Sequence, residues 1–535
     1  MRSAKIADML FDRRALIKGA LGAGLAISGL PLIGRTPVRA QFKAYPFSLG
    51  VASGEPAADG FVIWTRLAPE PLHARGGMPI APVEVSWEIA ADAEMKRTVR
   101  TGSAIARVET AHSLHVEVDG LEPGRAYFYR FRAGDVDSPI GHVRTLPQPG
   151  AEVVELKFAT AGCQSWEDGF YTAWRRIAEE DLDFVFHYGD YIYEYARRLP
   201  DQADRPIARP MPDSFPYCIN VIDYRRRYAL YKSDPDLQAA HASCAFLSSF
   251  DDHELANNWA GESDPRNTPP EAFLFRRAAA FQAWYEHMPV RRMMLPRGPD
   301  MLAYRNFRFG NLTNLAVLDT RQFRSKQPCG DGIKANCQEA KDLTRTMMGD
   351  VQESWLAQSL RSGNATWQVL AQQVLFSQMD WRSFPWAKTT EAGAGNMDAW
   401  DGSAAGRERI LSLFREAQVP NTVVLSGDAH MGLALEIKED WKQPGSRCLG
   451  VEFLATSISS GGDGGASFAN DAALHADNPH LKFASNERGY NRHVVTPKRW
   501  QADFRVVERV SAADAPVITR KSFVVEAGRP GLLDG

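Results

Sequence analysis

Two hydrophobic periods divide the chain. Between about Tyr45 and Leu146, apolar positions alternate with polar ones: Val83, Val85, Trp87 and Ile89 are interleaved with Glu84, Ser86 and Glu88. The same period of two returns at Leu114, Val116 and Val118 and at Tyr127, Tyr129 and Phe131. It turns one set of side chains to a core and the other to water, which predicts half-buried β-strands. Asp119-Gly120 and Pro123-Gly124 supply turns between the runs. Beyond Gly150 the pattern changes to short, almost wholly apolar runs at 156–160, 184–188, 245–250, 315–318, 367–370, 422–425 and 451–455. Between them lie stretches of helical period at 170–180, 223–232, 271–287, 352–360 and 406–418. Strands alternating with helices predict a layered α/β arrangement.

The stretch Leu121-Glu122-Pro123-Gly124-Arg125-Ala126-Tyr127 looks like the tyrosine corner of an immunoglobulin or fibronectin sandwich. The expected organisation is therefore an all-β sandwich over residues 45–146 and a linker at Pro147-Gln148-Pro149-Gly150. An α/β domain follows over 151–510, with 511–535 as a C-terminal tail. Segments 199–216 and 325–350 read as long loops, and loops of that length usually carry a function. Cys329 and Cys337 lie eight apart in the second of them and suit a disulfide.

Composition changes the picture mainly at the N-terminus. The chain of 535 residues has a net charge of −3, with 62 basic against 65 acidic residues, which gives no sign of a phosphate-tracking nucleic-acid surface. Residues 1–40 hold seven basic and two acidic residues, so without them the net charge is −8. A basic start, an apolar Gly-rich run over 19–33 and a small-residue end at Val38-Arg39-Ala40 read as a cleaved export signal. The run falls short of the roughly 20 residues that span a bilayer, and no other apolar run reaches that length. Asp12-Arg13-Arg14-Ala15-Leu16-Ile17-Lys18 resembles the twin-arginine signal of bacteria. That predicts an encounter with the twin-arginine translocation machinery and a periplasmic or secreted mature protein without a transmembrane segment. Six cysteines are too few for a disulfide-built scaffold.

The chemistry lies at the strand ends. The run at 156–160 leads into Gly162-Cys163, that at 184–188 into Gly189-Asp190-Tyr191-Ile192-Tyr193-Glu194, and that at 245–250 into Asp251-Asp252-His253-Glu254. Later runs lead into Asp319-Thr320-Arg321 and Gly427-Asp428-Ala429-His430. Ligand sites of open α/β sheets lie beyond the carboxyl ends of the strands. Each piece alone has a bland alternative: Cys163 as a small buried hydrophobe, Asp190 as a turn residue, Asp251 to Glu254 as a solvated charge run. Together they bring a thiol, several carboxylates and two histidines to one place. Such a cluster cannot stay buried without cations.

The set Gly189-Asp190-x-x-Tyr193, Asp252-His253-Glu254 and Gly427-Asp428-x-His430 resembles the calcineurin-like metallophosphoesterases. Its spelling, with Cys163, Asp252 and Asp428 in place of that superfamily's usual Asp, Asn and His, is similar to the PhoD-type alkaline phosphatases. The resemblance covers essentially the whole chain, and it implies an α/β/β/α metallophosphatase domain behind the sandwich. It also implies Fe³⁺ held by Cys163, Tyr193 and His430, with Asp190 bridging to Ca²⁺ at Asp252 and Asp428. The ligand types agree, since thiolate, phenolate and imidazole suit iron and hard oxygens suit calcium. Asn257 or Asn258 adds an amide oxygen, or both are simply polar loop residues. The expected reaction is hydrolysis of small phosphomonoesters, with some activity on phosphodiesters, by water activated by the metals. The alternative is a dedicated phosphodiesterase or phospholipase-D-like enzyme of the same fold. His253 is the expected general acid or leaving-group donor. Arg321 either contacts a phosphate oxygen or makes a structural ion pair.

Overall fold

The short apolar runs become the centres of two mixed sheets. A computed structural model describes residues 42–201, 203–362, 364–416 and 421–535; the export signal expected over 1–40 lies outside them. Leu156–Ala161, Phe184–His187 and Ala245–Ser248 are parallel neighbours at the middle of a ten-stranded sheet. Thr313–Val317, Trp367–Ala371, Thr422–Ser426 and Cys448–Leu454 form the parallel centre of a seven-stranded one. Both centres are buried on two faces, which explains runs that are apolar throughout rather than alternating.

Alternation within each strand sorts side chains between layers. Phe158, Phe184, Phe186 and Leu247 share one core cluster with Leu315, Val369, Leu425 and Phe453 of the second sheet. Ala159, Val185 and Phe246 face the opposite way, into a cluster with Trp174, Tyr228, Phe281 and Trp284. Those residues come from the helices Thr172–Glu179, Val221–Lys232 and Pro270–His287. Helices Gly349–Ser362 and Ala404–Glu416 flank the seven-stranded sheet, where Leu356, Leu360 and Leu411 pack on Leu370 and Val424. Among the described residues no helix is long and apolar enough to cross a membrane.

Three expectations need correction. The N-terminal strands do not close on themselves. Thr98–Ala106, Val83–Ala90, Ala126–Ala133, Val136–Asp137 and Gly141–Arg144 form a five-stranded sheet, whereas Val51–Ala57 pairs in parallel with Ala245–Ser248. Gly60–Arg66 and Ser113–Val118 then continue the ten-stranded sheet. Pairing covers an edge that would otherwise expose unmatched backbone groups. Gly54 permits it, because a Cβ there would stand 2.6 Å from the Phe246 carbonyl and 2.4 Å from that of Pro289. The corner itself is present, with the Glu122 N–H donating to the Tyr127 hydroxyl at 3.0 Å.

Residues 511–535 are not a tail. Val517–Glu526 pairs with Arg499–Val507, and Arg529–Asp534 adds the last strand of the sheet. Only Phe523 and Val525 of Val517–Glu526 are buried, so its apolar signal is faint. The third correction is a helix, Pro235–Ser243, absent from the reading above although its start signal is there. Asp234 Oδ1 accepts from the backbone N–H groups of Asp236 and Leu237 at 2.9 and 3.0 Å, and Pro235 fills the first turn. In the loop over 325–350, Cys329 and Cys337 are joined by a disulfide.

Candidate metal centre

The strand ends meet. Cys163, Asp190 and His430 offer ligand atoms within 4.8 Å of one another, as do Asp190, Asp252 and His253, and again Asp251, Asp252 and Asp428. The three groups overlap, sharing Asp190 and Asp252, so they form one continuous centre. The backbone bends sharply to make it: Cys163, Asp190, Asp428 and His430 all have left-handed φ, of 51°, 56°, 67° and 57°. Such conformations cost roughly 1–3 kcal/mol each and gather at functional sites. The glycine before each turn has its own reason. A Cβ on Gly189 would stand 2.4 Å from the Asp251 Cβ, and one on Gly162 or Gly427 would strike the Tyr188 ring at 2.5 or 2.2 Å. Tyr188 is thus wedged between two strand ends, and its hydroxyl donates to the Thr456 carbonyl.

Around Asp190 the donors crowd one oxygen. The Cys163 thiol donates to Oδ2 at 3.3 Å and the Tyr193 hydroxyl at 2.9 Å. Tyr193 Oη also lies 3.1 Å from His430 Nε2 and accepts from Ser460 Oγ at 2.7 Å. Burial, reinforced by surrounding carboxylates, pushes Cys163, Tyr193, Asp190 and Asp428 well above their ordinary pKa values. Burial and the positive charges of Arg488 and His253 press His430 down to about 3, leaving a neutral imidazole. Asp251 Oδ2 and Asp252 Oδ1 are buried with no hydrogen-bond partner. These features fit bound cations, which would give the orphaned oxygens a partner and reverse the upward shifts. The donor set is sorted as well, with thiol, phenol and imidazole at one pole and carboxylates at the other.

Comparison with known proteins agrees with this geometry. The family model of PhoD-like phosphatases matches residues 158–504, and that of their N-terminal domain matches 34–147. The chain belongs to the PhoD-like phosphatase family. It is 44% identical to alkaline phosphatase D of Bacillus subtilis (strain 168) over 527 residues, covering 98% of this chain and 89% of that protein. A solved structure of PhoD matches with a TM-score of 0.89 and 44% identity, over 92% of this chain and 93% of that one. The protein is accordingly a phosphoric ester hydrolase.

Within this PhoD-like phosphatase His253 is held firmly. Its Nδ1 donates to Glu194 Oε2 at 2.8 Å, its ring lies 4.2 Å from that of Tyr193 at a 30° tilt, and its backbone N–H donates to Asp190 Oδ1 at 3.3 Å. Burial alone would discharge the ring, but Asp252, Asp190 and Glu194 outweigh it and hold the pKa well above the ordinary value. Asn258 reaches the centre through its backbone N–H, which donates to Asp252 Oδ2 at 2.7 Å, while its side-chain NH₂ donates to Asp331. Asn257 is exposed and its Oδ1 accepts from the Tyr195 hydroxyl.

Arg321 lies beside the carboxylate pole, its Nη2 without a hydrogen-bond partner and 3.8 Å from Asp428 Oδ1. The side chain is wholly buried, its Nε donates to Asp251 at 2.5 Å and its Nη1 to both oxygens of Asp398 at 3.0 and 2.9 Å. Its ion-pair partners are Asp251 and Asp398 rather than Asp319, whose Oδ1 only accepts from the Arg321 backbone. Arg321→Ala is expected to cost about 3–5 kcal/mol of stability, because the buried Asp251 loses its ion-pair partner and Asp398 keeps only Arg324 and Gln327. Thermal unfolding at matched metal content measures it, and an unchanged midpoint would contradict the assignment.

Sequence reasoning assigned no role to Glu194, Ser460, Asp398, Gln327 or Asp331. Gln327 Nε2 donates to the Asn258 carbonyl at 2.8 Å and to Asp398 Oδ1 at 2.6 Å. The disulfide-closed loop therefore braces the carboxylate pole from two sides. A cysteine pair inside a long polar loop was the available signal. Asp398 had none, since it precedes no strand and matches no motif.

Proposed function

We propose that this PhoD-like phosphatase is an exported, metal-dependent alkaline phosphatase that hydrolyses small phosphomonoesters and, to a lesser degree, phosphodiesters. The observation that carries it is the continuous centre of overlapping ligand groups with orphaned carboxylate oxygens beside His253, whose Nδ1 is held by Glu194. Cys163, Tyr193 and His430 would hold Fe³⁺, Asp190 would bridge, and Asp252 and Asp428 would hold Ca²⁺, while Asn257 and Asn258 act as polar loop residues that engage Tyr195 and Asp331. When bound, these cations activate water as the nucleophile and neutralise charge on the phosphoryl oxygens. The chain itself does the rest. Glu194 takes the Nδ1 proton of His253 as a hydrogen bond, which leaves Nε2–H to meet the departing ester oxygen. Ser460 holds the Tyr193 hydroxyl toward Asp190 and His430. The twin-arginine segment over 1–40 would deliver the protein, by the twin-arginine machinery, to the periplasm or medium.

Elemental analysis combined with kinetics tests the proposal. Protein purified from its export route is expected to contain iron and calcium, and to turn over p-nitrophenyl phosphate faster than bis-p-nitrophenyl phosphate. Cys163→Ala is expected to lose iron while remaining folded, and calcium chelation to abolish activity reversibly. Full iron retention in Cys163→Ala would remove the thiol from the ligand set. Negligible monoester turnover would replace the leading reading with a dedicated diesterase.

A further inference from the structure

We propose that Tyr195 and Tyr217 form a wall for the alcohol half of the substrate, and that this wall selects esters whose leaving alcohol carries a planar ring. The inference rests on the phosphatase reading above and on His253 as leaving-group donor. With Nδ1 given to Glu194, the ester oxygen must approach Nε2. Its carbon skeleton then extends away from phosphorus, and so away from the ligand groups. Two aromatic rings flank His253. Tyr193 is only 7% exposed and belongs to the metal centre, whereas Tyr195 stands edge-on at 5.2 Å and is 39% exposed. The alcohol therefore leaves past Tyr195.

Tyr195 is exposed but fixed in place. Its hydroxyl donates to Asn257 Oδ1 at 3.0 Å, and the Asn257 N–H donates to Glu194 Oε1 at 2.9 Å. The Tyr217 ring lies 6.5 Å away, tilted by 35°, and its hydroxyl also reaches Glu194 Oε1 at 3.5 Å. Arg266 covers Tyr217 with its guanidinium 4.1 Å from the ring centroid. One fully buried carboxylate thus orients both the proton donor and the wall. A large aromatic side chain kept partly in water by such a network is arranged for contact, and a rigid ring favours a planar partner by offset stacking.

Benzyl phosphate and butyl phosphate test this, since their alcohols differ little in acidity and differ mainly in the ring. The ratio of their kcat/KM values is expected to fall about tenfold in Tyr195→Ala and by less in Tyr195→Phe, which keeps the ring and loses only the hydroxyl's hold on Asn257. Binding of the non-hydrolysable 2-phenylethylphosphonate and pentylphosphonate to the metal-loaded protein, measured by calorimetry, is expected to follow the same ratio. A ratio that Tyr195→Ala leaves unchanged, in rates or in affinities, overturns the wall. Wild-type protein that hydrolyses neither ester overturns the phosphatase reading instead, and the phosphonate affinities then decide the wall by themselves.

Discussion

Replacing His253 with glutamine is expected to lower kcat on alkyl phosphates by about 10²–10⁴-fold, the usual contribution of a positioned acid, and to have a much smaller effect on p-nitrophenyl phosphate. The difference arises at the leaving oxygen. An alkoxide is a strong base and needs a proton as the P–O bond breaks, while nitrophenolate departs without one. His253 meets the requirements of the donor: Nδ1 is locked to Glu194 at 2.8 Å, and neighbouring carboxylates raise the pKa of the ring against the effect of burial. Glutamine can keep a hydrogen bond to Glu194 but has no proton to transfer. Steady-state kinetics on both esters, at equal metal content, measures the effect. Equal losses on the two would assign His253 to metal retention or phosphate binding instead.

Asp190→Asn is expected to strip metal from both poles of the centre and to reduce kcat/KM by about 10²–10³-fold, from the several kcal/mol that bound metal contributes at about 1.4 kcal/mol per factor of ten. Asp190 shares one ligand group with Cys163 and His430 and another with Asp252 and His253, and it is the acceptor for Cys163 and Tyr193. Asp428 belongs only to the group with Asp251 and Asp252. Asp428→Asn should therefore lose the carboxylate-pole cation and keep the other. Metal analysis of the two variants side by side separates a bridging Asp190 from a structural one. An Asp190→Asn protein with both metals at wild-type content would refute the bridge.

Much of the centre could be read along the chain because each clustered side chain sits within a few residues of a short apolar run, and each run is a strand. Cys163, Asp190, Asp252, Asp428 and His430 needed only that positional logic, and the glycines at 162, 189 and 427 marked the sharp exits. Arg321 shows where it stops. Two residues after Asp319 in sequence, it pairs with Asp251 and Asp398, which are 70 and 77 residues away. The role of Glu194 is equally non-local. It was visible inside a motif, but only the fold brings His253, Asn257 and Tyr217 to its two oxygens.

The same division holds for the fold. Local hydrophobic period, turn residues and strand-end chemistry by themselves determined the parallel strands, most of the helices, the corner at Tyr127 and the ligand types. Tertiary structure alone decided how the sheet edges are satisfied. Val51–Ala57 joins Ala245–Ser248, and Val517–Glu526 joins Arg499–Val507, because each edge strand presents backbone groups that need a partner. No side-chain pattern within a strand specifies which distant backbone will supply that partner. Buried charges follow the same logic: their counter-ions are chosen by proximity in space, which the linear order of residues does not record.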